Sequence, residues 1–263
     1  MRIYITSDFE GACAVVGQAG VPLSRGSLQY DFARKMLTAE INAAVEGALA
    51  GGATDIIVED GHGDGLNLNG DELHPEVRLI TGTPRPRRLP FLDSSFAGLF
   101  LIGYHAMAGT ENGILAHSYS SVNIQNMWLN GRRIGEIGFD ATVAGSLGVP
   151  VLLVTSDKAG IEEARAFLGD KVRTVATKEG LSRNAALSLH PLKAQALIRA
   201  AAEDAVRHAS EMQPLRLEPP YRLRREFKLE SNVDQIMREA AANVSRIDYR
   251  TVETVADSLF ALI

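Results

Sequence analysis

Three short apolar stretches of this chain each run into a glycine-containing turn that carries acids or a histidine. Residues 2–7 lead into Asp8-Phe9-Glu10-Gly11, residues 54–59 into Asp60-Gly61-His62-Gly63, and residues 98–102 into Gly103-Tyr104-His105. If the three stretches are neighbouring parallel strands, one edge of one sheet holds all of these polar ends. Open α/β sheets bind ligands in the crevice beyond the carboxyl ends of their strands. Acids and imidazoles collected in such a crevice point to a metal site, and the chain reads as a metallohydrolase.

The rest of the chain keeps an alternating rhythm. The pattern predicts a strand at 3–7 and a long helix over 31–50, with Phe32, Met36, Leu37, Ile41, Val45 and Leu49 at helical spacing and Gly51-Gly52 ending it. Strands rich in β-branched and large apolar residues are predicted at 55–58, 77–80 and 99–102. An Asn130-Gly131 pair between apolar residues marks a hairpin after 124–129, before a helix over 136–147. A strand at 151–155, a helix at 161–168 and a strand at 172–176 follow, and Pro191 opens a helix to about Met212. The tail from Tyr221 reads as strand, helix, short strand, helix, the helical parts being 232–242 and 252–263.

This alternation predicts an α/β fold of three αβα layers around a largely parallel sheet. Residues 1–211 are expected to form the metal-binding catalytic domain, and 212–263 a smaller C-terminal α/β portion packed on it. With 263 residues and 46% hydrophobic content, a full core can be buried.

Charge excludes some classes of partner. The formal net charge is -5 and the basic residues are dispersed, so no nucleic-acid footprint is present. The densest basic groups, Arg85, Arg87 and Arg88 with Arg222, Arg224 and Arg225, read as solvated faces or subunit contacts, and the Pro/Arg-rich segment 83–90 as a surface loop or a subunit-contact arm. No window has the length of a signal peptide or a membrane span, and the single cysteine, Cys13, excludes an internal disulfide; a cytoplasmic protein without a membrane partner is expected.

Six residues carry the chemistry. Asp8 and Glu10 are two apart, a spacing that turns both carboxylates to one side of a strand end. His62 lies in a flexible, polar turn, with Asp60 or Asp64 as an expected hydrogen-bond partner for its far nitrogen. His105 and His117, on neighbouring loops, suggest one ligand and one residue that handles protons. Glu136 opens a helix between Gly135 and Gly138, where the macrodipole favours an acid and the small neighbours allow close approach.

Asp8-x-Glu10-Gly11, Asp60-x-His62, Gly103-Tyr104-His105-Ala106, His117-Ser118 and Gly135-Glu136-Ile137-Gly138, in this order, resemble the D-aminopeptidase family. Leu73-His74-Pro75-Glu76 and Val149-Pro150-Val151-Leu152 extend the likeness, which covers the chain to about Lys193 and fades in the tail. The resemblance implies a zinc metallopeptidase with two metal ions per subunit, acting on small D-amino-acid peptides and assembled as a homo-oligomeric ring, commonly a decamer. It implies Asp8, Glu10, His62, His105 and Glu136 as metal ligands and His117 as the catalytic residue. Three carboxylates and two imidazoles suit zinc or a similar ion, with Asp8 the candidate bridge between the two. Two other readings fit the same residues: a two-metal hydrolase of a non-peptide substrate, and a non-catalytic peptide-binding accessory of a transporter.

Overall fold

The computed structural model describes residues 1–262; position 263, which ends the expected last helix and the expected C-terminal portion, lies outside the described residues. In chain order, strand β1 (Arg2–Ser7) leads to helix α1 (Tyr30–Ala50), then β2 (Asp55–Asp60), β3 (Val77–Ile80) and β4 (Gly98–Ile102). The hairpin of β5 (Ile124–Leu129) and β6 (Arg132–Arg133) precedes α2 (Glu136–Ser146), β7 (Val151–Asp157), α3 (Lys158–Leu168), β8 (Arg173–Ser182), β9 (Ala185–Ser188) and α4 (Pro191–Arg207). The tail adds β10 (Tyr221–Phe227), α5 (Glu230–Arg238), β11 (Val244–Arg246) and β12 (Thr251–Ala256).

Seven strands form one sheet in the order β3-β2-β1-β4-β7-β8-β9, parallel except for β9, which runs back against β8. Its central strands are apolar on both faces, which a sheet tolerates only when both are covered. Ile3, Ile5, Ile56, Val58, Phe100 and Ile102 pack with α1 and α4 on one face. Tyr4, Ile57, Leu99 and Leu101 point the other way, toward α2, α3 and the second sheet. Each fully buried side chain of this kind, such as Ile5 or Phe100, contributes roughly 1.5–3 kcal/mol.

The second sheet is antiparallel, in the order β11-β12-β10-β5-β6. It takes strands from both sides of the expected division between residues 211 and 212. The β5–β6 turn is the expected one: Asn130 and Gly131 have φ of 49° and 80°, the left-handed pair that a two-residue hairpin needs.

Two parts of the tail differ from expectation. The expected helix over 252–263 is strand β12 followed by a single 3-10 turn at Leu259–Ala261. Val252, Val255 and Leu259 imitate a helical stripe, but Thr251, Val252 and Thr254 are β-branched and buried against β10, and pairing with that strand prevails. The helix expected over 232–242 closes at Arg238. Strand β8 runs on to Ser182, well beyond 176, and the hairpin to β9 had no clear signal because its residues alternate between exposed and half-buried at a sheet edge.

The site is positioned by the strand order. β1 pairs with β2 on one side and β4 on the other, so the chain winds outward in both directions from this pair and leaves a crevice at their carboxyl ends. There the two loops press together: Asp8 N–H donates to the Ile102 carbonyl (2.9 Å) and Gly11 N–H to the Gly103 carbonyl (2.7 Å). A Cβ at Gly11 would lie 1.7 Å from the Tyr104 oxygen, and one at Gly103, whose φ is +73°, would lie 2.2 Å from the Asp8 oxygen. Only glycine fits either place. Gly103→Ala is therefore expected to cost more than about 1 kcal/mol of stability and to reduce metal retention, read by thermal unfolding and metal analysis after dialysis; unchanged Tm and metal content would refute the close-approach account.

Candidate metal centre

All six residues singled out from sequence meet in this crevice. β1 stops at Ser7, so Asp8, Phe9 and Glu10 lie just past the strand rather than within it. Phe9 is buried and its ring stacks on the His62 imidazole, 4.6 Å between centroids, while the carboxylates on either side of it both face His62. Asp8 Oδ1 lies 2.7 Å and Glu10 Oε2 3.3 Å from His62 Nδ1. The other Asp8 oxygen, Oδ2, lies 3.2 Å from His105 Nε2, which is also 3.3 Å from Glu136 Oε1. His117 Nε2 is 3.7 Å from that Glu136 oxygen, and its ring stacks on His105 at 4.0 Å.

Every histidine spends its far nitrogen on the backbone. His62 Nε2 donates to the Leu23 carbonyl (2.7 Å), His105 Nδ1 to that of Ala106 (2.9 Å) and His117 Nδ1 to that of Leu115 (2.9 Å). A carbonyl only accepts, so the proton sits on that nitrogen and the lone pair of the neutral ring faces the carboxylates. This is the tautomer control seen at metal-binding imidazoles. The expected partners of His62 are corrected: Asp60 accepts the backbone N–H groups of Asn67 and Leu68, and Asp64 that of Leu66. Asp60 acts one step removed, since Asn67, which also bonds its carboxylate, donates from Nδ2 to the His62 carbonyl (2.5 Å).

Lone pairs of imidazole set against carboxylates repel unless positive charge lies between them. Among the described residues, Glu10 Oε2 and His105 Nε2 are buried with no hydrogen-bond partner. Two donor groups, Asp8 with Glu10 and His105, and His105 with His117 and Glu136, bring their atoms within 4.8 Å of one another. Oxygen and imidazole donors at such spacings fit divalent cations of the zinc type. The second group includes His117, which the sequence reading kept off the metals.

The titration behaviour has the same origin. Burial opposes the imidazolium at His62 and His105, yet Glu10 and Asp8 around the first and Glu136 and Asp8 around the second hold both well above the ordinary value. Burial likewise opposes the charge on Asp8, and the two histidines hold its carboxyl well below the usual range.

Other parts of the chain brace the centre. The Lys178 ammonium, on β8, donates to the carbonyls of Glu10, Ala12 and Val15 and ties down the loop after β1. The His117 loop passes through left-handed Leu115 (φ 52°) and Tyr119 (φ 57°), a conformation that costs energy in non-glycine residues. It is fastened to Arg183 through Leu115 N–H and the Ala116 carbonyl.

The arginine-rich segment is corrected as well. Arg85 pairs with buried Glu59 (2.6 Å), and Arg88 forms a two-pronged pair with buried Asp140 (2.7 and 2.6 Å) while lining the cavity that holds Asp8, His62 and Glu136. Neither is a solvated face. Sequence reasoning also missed Asp140, whose signal was its position four residues after Glu136, on the same face of α2. Cys13 is a buried thiol against the Leu189 carbonyl, away from the donors.

The fold and site define a metal-dependent hydrolase working at the carboxyl edge of a mostly parallel sheet. A family model described as D-aminopeptidase, peptidase M55, matches residues 1–263. The D-aminopeptidase of Bacillus subtilis (strain 168) is 34% identical over 216 residues, 82% of this chain and 77% of that protein. The zinc-dependent D-aminopeptidase DppA from Bacillus subtilis, described as a self-compartmentalizing protease, has a similar structure, with a TM-score of 0.92 at 29% identity over 99% of this chain and 93% of that one. The chain belongs to the D-aminopeptidase family and is a metal-dependent aminopeptidase.

Metal and protons compete for these donors. In chelated protein, the contribution of the raised histidines to stability is complete below the ordinary imidazole pKa of about 6.5 and drains away as pH rises through their folded values. That of Asp8 is present above the usual carboxylate range and is lost as pH falls. Metal binding has to release the imidazole protons. The rise in Tm on adding zinc is therefore expected to be larger at pH 8 than at pH 6, measured by differential scanning calorimetry; a gain independent of pH would count against these ligands.

Proposed function

We propose that this aminopeptidase removes the N-terminal residue of short peptides, with preference for D-residues, using two zinc ions held by Asp8, Glu10, His62, His105 and Glu136. The observation that carries this reading is the division of Asp8, whose two oxygens face separate donor sets: Oδ1 with His62 and Glu10, Oδ2 with His105 and Glu136. A carboxylate so divided suits a bridge between two cations. A pair of divalent ions held there would supply the chemistry of an activated water at neutral pH and of a polarised scissile carbonyl. Asp8, Glu10 and Glu136 offset the charge of the ions, and the backbone-fixed imidazoles keep the donors aimed at them.

His117 is assigned the proton work. Its ring is slightly open to the cavities on both sides of it, whereas His105, stacked behind it, is fully buried. The Leu115 carbonyl holds its Nδ1 proton, leaving the Nε2 lone pair to take a proton from the attacking water and pass it to the departing amine. The relatives favour a peptide substrate over the non-peptide and accessory readings, and the D-preference follows the D-aminopeptidase activity for which they are named.

The protein is further proposed to be a cytoplasmic homo-oligomer assembled as a decameric ring. Leu181, Leu187 and Leu192, each about 70% exposed around the β8–β9 edge, are apolar surface that assembly would cover. No helix among the described residues is long and apolar enough to cross a membrane.

The test uses metal-loaded protein and a panel of D- and L-aminoacyl dipeptides, amides and phosphoesters. Asp8→Ala is expected to lose both bound metal and peptide hydrolysis. His117→Ala is expected to keep its metal and lose about 10²–10⁴-fold in kcat. Cleavage of phosphoesters in place of peptides, or loss of metal in His117→Ala, would overturn the assignment.

A further inference from the structure

The cavity at the metal centre, about 350 Å³, continues into a larger one of about 450 Å³, and the two share Glu10, Pro22, Leu23, His117 and Ser121 as walls. Together they form a single cleft of a size that takes small molecules. Its two ends differ in charge. The first holds Asp8, Glu10 and Glu136, and its one arginine, Arg88, is already paired with Asp140. The second has Glu10 as its one acid, at the shared wall, and carries Arg183 and Lys228.

These two cations come from parts of the chain distant in sequence. Arg183 occupies the two-residue turn between β8 and β9, and Lys228 follows β10. Each gives one N–H to a backbone carbonyl at the mouth of the cleft, Arg183 to Ala116 and Lys228 to Ser121. Among the described residues neither has a carboxylate partner, whereas Arg85, Arg88 and Arg173 all do. Their remaining donors are free for an anion, and guanidinium and ammonium groups bind carboxylates through charge-assisted hydrogen bonds.

We infer, on the aminopeptidase reading above, that Arg183 and Lys228 receive the terminal carboxylate of the substrate, so that the cleft selects short zwitterionic peptides. The ammonium end lies toward the acids and metals, and the carboxylate end toward the β8–β9 turn and the start of the tail. A peptide lacking the terminal charge leaves the two cations unpaired and binds less well.

The experiment measures kcat and KM of zinc-loaded enzyme on the stereoisomer of alanyl-alanine that it cleaves, on its C-terminal amide, and on the alanyl-glutamic amide, which carries a carboxylate only in its side chain. The free acid is expected to be favoured over the alanyl-alanine amide at least about tenfold in kcat/KM, mostly through KM. In Lys228→Met the KM for the free acid is expected to rise about tenfold with kcat and the amide unchanged, while Arg183→Lys keeps most of the preference. Equal use of acid and amide by the wild type, or equal losses on both in Lys228→Met, would overturn the inference and leave the peptidase reading standing. Cleavage of the glutamic amide as good as that of the free acid would assign the cations to a side chain and overturn it as well. Hydrolysis of none of the three by metal-loaded enzyme would remove the peptidase reading and this inference together.

Discussion

Three carboxylates and the lone pairs of buried imidazoles face one another across about 3 Å at the carboxyl edge of this sheet, and that repulsion has to be neutralised for the loops to close. Protons on the histidines or cations between the donors both achieve this, and the two compete. The backbone decides which atoms are offered. Because carbonyls of Leu23, Ala106 and Leu115 claim one nitrogen of each ring, the rings cannot turn away to satisfy themselves elsewhere. The centre is thus preorganised by hydrogen bonds that belong to the fold, not to the metal.

The strain of gathering these groups is spread over the surrounding structure. Lys178 reaches through the core to three consecutive-loop carbonyls beside Glu10, so the backbone carrying two acids is fixed by a cation that touches neither carboxylate. Asp140 is buried beneath the same wall and is matched by Arg88 and by the hydroxyl of Tyr104 (2.6 Å). An unpaired charge at either place would be costly to bury. The central packing therefore combines apolar faces on the strands with a few fully paired ions at their carboxyl ends.

Much of this was legible in the sequence because strands and ligands coincide. β1, β2 and β4 are near-continuous apolar runs, and the residues after each are too polar and too glycine-rich to continue them. The same local logic located α1, the β5–β6 hairpin and the start of α2. It failed where tertiary pairing outweighs the local pattern. The apolar spacing in 252–260 fits a helix as well as a strand, and only the neighbouring β10 settles it. Arg88 and Asp140 show no period or motif, since their partnership spans 52 residues and exists only once the irregular segment 83–90 folds onto α2.

The largest gap between sequence and site concerns the part of the cleft beyond the metals. Its walls come from the loop before α1, from the His117 loop, from the β8–β9 turn and from the residue after β10. None of these has a recognisable chemical motif, and one, the residue after β10, lies in the tail where the motif resemblance fades. Yet the turn that carries Arg183 also fastens Leu115 and Ala116, and so sets where His117 stands. The segment that orients His117, the proposed proton-handling residue, thereby also forms one wall of the proposed substrate cleft, and on that proposal a change in the turn alters both how the substrate is held and how its leaving group is protonated. The proposed metal ligands, by contrast, sit just past the ends of β1, β2 and β4 and at the start of α2. The architecture separates a fixed chemical centre from a variable rim, and variation of the rim can redirect specificity without disturbing the donors.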